Sequence, residues 1–331
     1  MDARVTFRYA ARCTVRSFSV LFVAIVVNFA LPRLAPGNAI DYLIPPEQAV
    51  SLSAEQRLAV IRQFGLDQST TQQFVRYVSR LAHGDLLLSI RYARPVRTLL
   101  AERLPWTLLL VGTSLMIALL VGAVLGFGAA WRRGSPRDVV SMIVVVLVDS
   151  MPVFFVGMML LFLFAVKLGW FPVFGATRFG TRSHGIGSVG AVLQRLLLPA
   201  ATLVFAQVGT FYLAARSAMV GELREDYVTF AVAKGLPPKT VRAHARRNSL
   251  APVVTIGLVS LGTLVGGATV VETVFSYPGV GRLIFDSVLA RDYPVIQGTF
   301  FVLALTVILA NLTGDLILPL VDRRAMARAD A

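Results

Sequence analysis

Charged side chains are scarce in this sequence. Only 15% of its 331 residues are Asp, Glu, Lys or Arg, whereas a soluble globular domain usually carries about a quarter. So few charges cannot cover the surface of a water-exposed protein of this length. A disordered chain is excluded as well, because 56% of the residues are hydrophobic. The composition predicts a protein whose main solvent is lipid.

Residue types that build metal sites and catalytic sites are also few. Cys13 is the only cysteine, so neither an internal disulfide nor a cysteine-based metal cluster can form. The three histidines, His83, His184 and His244, are isolated and give no metal-ligand spacing and no nucleophile–base pair. The phosphate-binding pattern G-x-x-x-x-G-K-[ST] does not occur in the sequence. We therefore expect no enzymatic activity, no metal site and no cofactor in this chain.

Long apolar runs are what the sequence does have. A helix needs about 20 apolar residues to cross the hydrocarbon core, and lipid permits little but helices. The sequence therefore predicts an all-α membrane protein with six transmembrane helices. The third run is overlong, and we expect Pro152 to bend it. The predicted spans are Ser17–Leu34, Trp106–Ala130, Val139–Leu168, Leu198–Val220, Ala251–Val274 and Ile296–Val321.

The basic residues indicate how the chain is oriented. A formal net charge of +14 would suggest nucleic-acid binding in a soluble protein. Here the arginines lie mainly in short segments between apolar runs, which is typical of topology signals, so we expect no nucleic-acid partner. Cytoplasmic loops are enriched in Lys and Arg, and six crossings put both termini on one side. We expect that side to be the cytoplasm, together with the segments that contain Arg132, Arg133, Arg137 and the 221–250 loop.

The first apolar run resembles a signal peptide, since Arg4, Arg8, Arg12 and Arg16 precede it. However, the run is too long, and no small-x-small cleavage site follows it. We interpret it as a retained membrane helix.

The segment 37–97 is predicted to form a small helical insertion outside the membrane. Ser53 and Gln56 have the spacing of a capping box, and Gly65 and Gly84 are suited to end two helices. Each helix has one apolar face: Leu58, Ile61 and Phe64 in the first, and Phe74, Val78 and Leu81 in the second. The insertion serves either as a packing lid or as a docking surface for an external partner.

Four ionisable residues lie in or near the predicted spans: Asp149, Arg216, Glu272 and Asp315. An ionisable side chain at the bilayer centre costs about 2.5–3.5 kcal/mol, so each needs an explanation. Snorkelling or pairing between helices explains them without a transport role. Two G-x-x-x-G patterns, Gly122–Gly126 and Gly262–Gly266, predict close packing of helix backbones.

The 221–250 loop has the pattern of two short helices joined by a hinge. Tyr227, Phe230, Ala231 and Lys234 follow a helical spacing, and Gly235 can adopt the left-handed backbone that ends a helix. Pro238 suits the first turn of a second helix. Such a pair fits the groove of a partner protein, although a plain amphipathic surface loop would have a similar pattern.

These residues also resemble a known family. Ala231-x-Ala-x-Gly235, with Asp226-Tyr-Val before it and Arg247-Asn-x-Leu-x-Pro252 after it, resembles the "EAA" loop of binding-protein-dependent ABC importer permeases. The B-type permeases of the dipeptide, oligopeptide and nickel group are the most similar. Further landmarks in the same order are Leu34-Ala-Pro-Gly37, Gly65-Leu-Asp67, Gly84-Asp-Leu86, Arg103-Leu-Pro105, Glu272-Thr-Val-Phe-Ser-Tyr-Pro-Gly279 and Ala290-Arg-Asp-Tyr-Pro294.

The resemblance implies a type I ABC importer transmembrane domain at residues 98–322, with the coupling loop 221–250 inside it. Before it would come a cytoplasmic N-terminus and first helix (1–36) and an extracytoplasmic helical region (37–97), and after it a cytoplasmic tail (323–331). The expected location is the cell membrane of a prokaryote. The expected partners are a homologous C-type permease, two cytoplasmic ATPase subunits that bind ATP and Mg²⁺, and an extracytoplasmic substrate-binding protein.

The resemblance also implies roles for individual residues. Contact with the ATPase is expected from Asp226, Tyr227, Phe230, Ala231, Ala233, Lys234, Gly235, Leu236, Arg242, Arg246 and Arg247. The translocation path or gate is expected to involve Asp149, Pro152, Phe154, Glu272 and Phe275. Peptide is the expected substrate, with nickel chelates or another small solute as the alternative. A stand-alone secondary carrier is the alternative from a different class.

Overall fold

The computed structural model describes residues 3–34, 55, 68–172 and 186–321. In these ranges every regular element is a helix, apart from one isolated bridge between Leu88 and Pro95. The helices are α1 (Ala3–Leu34), α2 (Thr70–Ala82), α3 (Val96–Trp131), α4 (Pro136–Asp149), α5 (Val153–Leu160, continued by a π-helical turn Leu161–Lys167), α6 (Ile186–Glu222), α7 (Asp226–Ala233), α8 (Pro238–Asn248), α9 (Leu250–Val274), α10 (Val280–Leu289) and α11 (Tyr293–Val321).

The helices agree with the predicted all-α membrane architecture. Four of them, α1, α3, α6 and α11, are each long and apolar enough to cross a membrane. Two bent pairs raise the number to six if each pair is one span. The predicted third span is one of these pairs, because α4 and α5 meet at 94°. The bend lies where we expected it, at Pro152, which precedes the first residue of α5 and supplies no backbone N–H.

The second bent pair contains the predicted fifth span. The chain from Pro238 to Gly262 and the segment Leu264–Val274 differ in direction by 54°. Polar backbone groups freed at such breaks must be satisfied inside the protein, so breaks in spans are tolerated mainly where they pack against neighbours or line a cavity.

The contacts divide the chain into two compact units. The first contains residues 1–106 and 279–312, and the second contains residues 107–278 and 313–331. Residues of α3 and α11 belong to both. The division of the sequence at 36, 97 and 322 stays a prediction, since it rests on topology rather than on contacts.

The first unit has a small apolar core and a buried acidic clasp. The core is formed by Val96, Leu99, Leu100, Val280, Leu283 and Val295. Asp292, which is fully buried, accepts hydrogen bonds from the Ser89 hydroxyl and from the backbone N–H groups of Ile90 and Arg91. Several hydrogen-bond donors can compensate the negative charge of a carboxylate even when it is buried. Asp292 therefore fixes the irregular loop before α3 to the turn before α11.

Helix α2 confirms one of the two helices predicted outside the spans. It ends at Ala82, and Gly84 has the left-handed backbone expected at its end, with φ of +70°. Its capping box joins Ser69 and Gln72, which have the same S-x-x-Q spacing as Ser53 and Gln56. The other predicted helix, around 53–65, falls outside the described residues except for Glu55, which is helical.

The second unit is built around α6, which packs against α9, α4 and α5. Helix α3 approaches it through the first G-x-x-x-G pattern, as predicted. A Cβ atom at Gly122 would lie 2.6 Å from Phe211 Cβ, and one at Gly126 would lie 2.9 Å from Ala215 Cβ. The second pattern differs, because a Cβ atom at Gly266 would meet no heavy atom of the described chain within 4 Å.

Candidate functional site

The 221–250 loop begins at the C-terminal end of the long helix α6, where the chain turns into α7. Three tight backbone hydrogen bonds, donated by the N–H groups of Leu223, Arg224 and Glu225, close the turn between α6 and α7. Asp226 is the first residue of α7, where its negative charge is favourable at the positive end of the helix dipole. The predicted first helix of the loop is confirmed.

Helix α7 ends in a Schellman motif centred on Gly235. The Gly235 N–H donates to the carbonyl of Val232 at 2.9 Å, and the Leu236 N–H donates to the carbonyl of Ala231 at 3.2 Å. This motif needs a left-handed residue after the helix, and Gly235 has φ of +75°. The hinge predicted at Gly235 is therefore present. Pro238 then opens α8 in the first helical position, also as predicted.

A miniature core holds the two short helices against each other. Val228 and Ala231 of α7 are buried together with Val241 of α8. Tyr227 and Leu236 pack against this group while partly exposed. We call the segment 223–249 the elbow, because its bend is fixed by its own packing as well as by the glycine.

Outside this core, α7 exposes two large apolar side chains. Phe230 is 67% exposed and Val232 is 61% exposed. They are two residues apart, so they point to different sides of the helix. Large exposed apolar side chains on a short surface helix are typical of an interface that a partner covers. Val232 was missing from the residues expected from the sequence, although it stands inside the motif. Ala231 is buried instead, so its small side chain allows the helices of the elbow to pack closely.

Helix α8 ties the elbow to the membrane helices of the second unit. Ala245 is fully buried in a cluster that holds Ala123 and Phe127 of α3, Ala215 and Met219 of α6, and Val253 of α9. Ser249, at the junction with α9, is also buried. A displacement of α8 must therefore move these spans, because close-packed helices transmit strain.

The basic residues of α8 do not all face one way. Arg246 and Arg247 are exposed in its last turn, where cations interact favourably with the helix dipole. Arg242 is also exposed, but it lines a groove together with Arg132 and Arg137. The other expected contact residues of α7, Asp226, Ala233 and Lys234, are exposed near Phe230 and Val232.

A hydrogen bond closes the base of the elbow. The Tyr227 hydroxyl donates to Glu222 Oε2 at 2.7 Å. Partial burial, and then this bond to the carboxylate, raise the pKa of Tyr227 to about 12. The phenol therefore remains protonated, and remains a donor, throughout the physiological pH range.

The expected path residues fall into two groups. Asp149, Pro152 and Phe154 are exposed at the break between α4 and α5. Glu272 and Phe275, by contrast, are buried within the second unit, and Glu272 accepts a hydrogen bond from the Thr107 hydroxyl at 2.7 Å. Only the first group lies on an open surface in this conformation.

Asp149 is placed by a glycine on the neighbouring helix. A Cβ atom at Gly209 of α6 would lie within 3 Å of the Asp149 side chain. The absence of a side chain at Gly209 therefore leaves space for a carboxylate next to the helix backbone, in the middle of an apolar surface.

Asp138 forms a buried ion pair that was not predicted from the sequence. It is buried in the first turn of α4 and binds Arg216 of α6 through two nitrogen–oxygen contacts of 2.8 Å. Pairing between helices, one of the two explanations expected for Arg216, is thus confirmed. The signal was available in the sequence, since Ser135-Pro-Arg-Asp138 has the spacing of a helix start with an acidic residue in the first turn.

Comparison with known proteins gives a consistent result. Residues 122–326 match the family described as "Binding-protein-dependent transport system inner membrane component". The chain is 36% identical over 318 residues to the di/tripeptide transport system permease protein DppB of Pseudomonas aeruginosa, covering 92% of this chain and 94% of that protein. It is 38% identical over 299 residues to the glutathione transport system permease protein GsiC of Escherichia coli strain K12, covering 90% and 92%.

Proposed function

Since this chain belongs to the family of inner membrane components of binding-protein-dependent transport systems, as a permease of an ABC importer, we propose that its cargo is a short peptide. The support comes from the names of two relatives that align along nearly their whole length. One is a di/tripeptide permease and the other a permease for glutathione, which is itself a tripeptide. The chain would form half of the translocation path and a homologous permease the other half.

The observation that carries the proposed mechanism is the exposed pair Phe230 and Val232 on an elbow rooted in the spans. The elbow is rigid because Gly235 and the cluster around Ala231 fix its angle. It is connected, because Ala245 is packed among three membrane helices. An ATPase that seated the apolar pair and then moved would shift α8 and, with it, α3, α6 and α9.

The proposed energy source is therefore mechanical. ATP and Mg²⁺ would be bound by two partner ATPase subunits, and the elbow would be the contact between this chain and an ATPase. Such a partner can drive a conformational change only as far as it binds one state of the chain better than the other. The elbow and both termini would lie in the cytoplasm. The exposed helix α2 would lie outside the membrane, on the side where a substrate-binding protein delivers its cargo.

Asp149 is the expected path residue to which a chemical role can be assigned. A peptide at neutral pH carries a cationic amino group, and a carboxylate is its natural partner. Asp149 is an exposed carboxylate at a 94° break between two apolar helices. We propose that it attracts the amino group of the passing peptide.

One experiment separates cargo from coupling. The gene for this chain is deleted in a strain that needs an external peptide as its source of one amino acid. Uptake of labelled dipeptide, tripeptide and nickel is then measured. Loss of peptide uptake with nickel uptake unchanged is the expected result. Loss of nickel uptake alone would overturn the peptide assignment.

The coupling is tested by restoring the gene with Val232→Asp or with Arg224→Ala. Arg224 is exposed in the turn before α7, outside the helix that holds Phe230 and Val232. We expect Val232→Asp to abolish uptake and Arg224→Ala to preserve it. Equal uptake by the two variants would contradict a role for the apolar pair.

A further inference from the structure

A groove of about 780 Å³ opens on the second unit between α3 and α4. One wall is formed by Val124 and Leu125 of α3 and the other by Val140 and Val144 of α4, with Tyr212 of α6 behind them. The four aliphatic side chains are all more than two-fifths exposed. This volume falls within the range of small-molecule sites, and its walls suit an acyl chain.

Three arginines stand at one end of the groove. Arg132 follows the end of α3, Arg137 is in the first turn of α4, and Arg242 comes from α8 of the elbow. All three are exposed, and none of them forms an ion pair within the part of the chain that the structure describes. Guanidinium groups bind phosphate oxygens in fork-shaped pairs of hydrogen bonds.

Asp138 is the carboxylate that lines the groove among the described residues, and it does not neutralise these arginines. Asp138 Oδ1 accepts a hydrogen bond from Arg216 Nε, and Asp138 Oδ2 accepts from Arg216 Nη2 and from the Gly134 N–H at 3.1 Å. Its charge is already compensated by a residue outside the groove. The arginine end therefore carries an uncompensated positive charge.

The arginine end lies where headgroups are found. The turn Arg132–Ser135 joins two helices whose apolar residues face outward, and Trp131 immediately precedes it. Tryptophan and arginine at the end of an apolar helix mark the interface between hydrocarbon and water. The apolar walls of the groove match the acyl chain of a phospholipid, and the arginines at its end match the phosphate group.

From this arrangement we propose that the groove binds one anionic phospholipid, such as phosphatidylglycerol. Its phosphate is held by Arg132, Arg137 and Arg242, and one acyl chain lies along Val140 and Val144. Since Arg242 belongs to the elbow, the bound lipid connects the elbow to the membrane surface. The inference requires only that the chain spans a membrane, and it does not depend on the proposed peptide cargo.

The test uses the full-length chain with the subunits that it retains on purification. The complex is reconstituted in nanodiscs of equal parts phosphatidylcholine and phosphatidylglycerol, and native mass spectrometry counts the lipids that remain bound after release. Each basic residue near an anionic surface contributes roughly a fivefold factor in binding. Arg132→Gln/Arg137→Gln/Arg242→Gln is therefore expected to lower retention of phosphatidylglycerol about a hundredfold.

Two further variants distinguish a lipid site from general attraction. Arg133→Gln/Lys239→Gln/Arg224→Gln removes the same charge at exposed positions outside the groove, and we expect it to retain the lipid. Val144→Trp fills the apolar wall while leaving the arginines, and we expect it to lose the lipid.

Several results would overturn the proposal. Equal loss in the two triple variants would indicate nonspecific attraction, and retention by Val144→Trp would indicate a headgroup or free phosphate without an acyl chain. Displacement of the lipid by inorganic phosphate at equal concentration would also indicate a phosphate site without an acyl chain. A complex that retains no phosphatidylglycerol at all would show that another protein covers the groove.

Discussion

Arg216 on α6 holds Asp138 on α4 through two parallel nitrogen–oxygen contacts of 2.8 Å. One turn along the same two helices, the hydroxyls of Ser141 and Tyr212 are hydrogen-bonded at 2.7 Å. These two links fix the start of α4 to α6 close to the elbow. A motion of α6 therefore carries the first half of the broken span with it.

The first prediction concerns this ion pair. Asp138→Asn leaves the Arg216 guanidinium without its partner at a site where Asp138 is only 3% exposed. Loss of one partner from a buried pair typically costs about 3–5 kcal/mol. We expect the midpoint of unfolding in denaturing detergent to fall accordingly. Asp138→Asn/Arg216→Met should recover part of this loss, since it removes both charges.

The exposed pair Arg94–Glu102 is the matched control. Both of its side chains are about half exposed, and such pairs contribute about 0–1 kcal/mol. Glu102→Gln should therefore unfold nearly where the unchanged protein does. A comparable loss in Glu102→Gln and Asp138→Asn would show that burial does not decide the strength of these pairs.

The second prediction tests the contact between α3 and α6. A methyl group at Gly126 would press against Ala215 and the α6 backbone. Overpacking of this kind costs about 1–3 kcal/mol, so Gly126→Ala should lower the unfolding midpoint. Gly112 lies on the same helix, and a Cβ atom there would meet no heavy atom of the described residues within 4 Å. Gly112→Ala should be neutral or stabilising, because alanine favours helix by about 1 kcal/mol.

The third prediction concerns the elbow glycine. Gly235→Val places a β-branched residue at φ of +75°, where any L-residue is strained by about 1–2 kcal/mol and a β-branched one by more. We expect normal membrane insertion and abolished peptide uptake. Gly235→Asn, which tolerates this backbone, should keep most of the uptake. Full uptake by the valine variant in proteoliposomes that contain the whole transporter would refute the role of the bend.

The fourth prediction concerns Tyr227, whose pKa is raised to about 12 from an ordinary value of 10. A raised pKa means that the folded state holds this proton more tightly than the unfolded state does. The resulting stabilisation is complete below pH 10 and is lost as the pH rises towards 12. The difference in phenolate absorbance between the unchanged protein and Tyr227→Phe should therefore be absent at pH 10.5. A phenolate signal at that pH would show that Tyr227 ionises like a solvated tyrosine.

The features of the elbow that depend on local backbone preferences could be predicted from the sequence, whereas those that depend on tertiary contacts could not. The helix ending at Gly235 and the start at Pro238 follow from backbone preferences of single residues, and the structure confirms both. The resemblance also indicated this loop as the contact with the ATPase, which stays a prediction. Which face of α7 is covered could not be predicted, because Val228 and Ala231 are buried by contact with Val241 across the hinge. The exposure of Val232 could not be predicted for the same reason.

The spans show the same limit. Their number and approximate positions follow from apolar length, and the bend at Pro152 from the missing N–H group. The 94° angle does not, since it depends on how α4 and α5 pack against α6. Likewise Arg216 was recognised as needing a partner, but its choice of Asp138, which is 78 residues away in the chain, is a tertiary contact. Glu272 was placed on the path by resemblance, whereas burial beside Thr107 depends on the packed second unit.

In the proposed mechanism, the exposed apolar residues Phe230 and Val232 of α7 bind an ATPase subunit in the cytoplasm. The most direct measurement places a photo-crosslinking amino acid at Phe230, and at Val75 of α2 for comparison, in the assembled transporter in native membranes. Both side chains are more than three-fifths exposed. We expect a covalent adduct between position 230 and the ATPase, and none between position 75 and the ATPase. An adduct with no ATPase at position 230, or labelling of that position from outside intact cells, would contradict it.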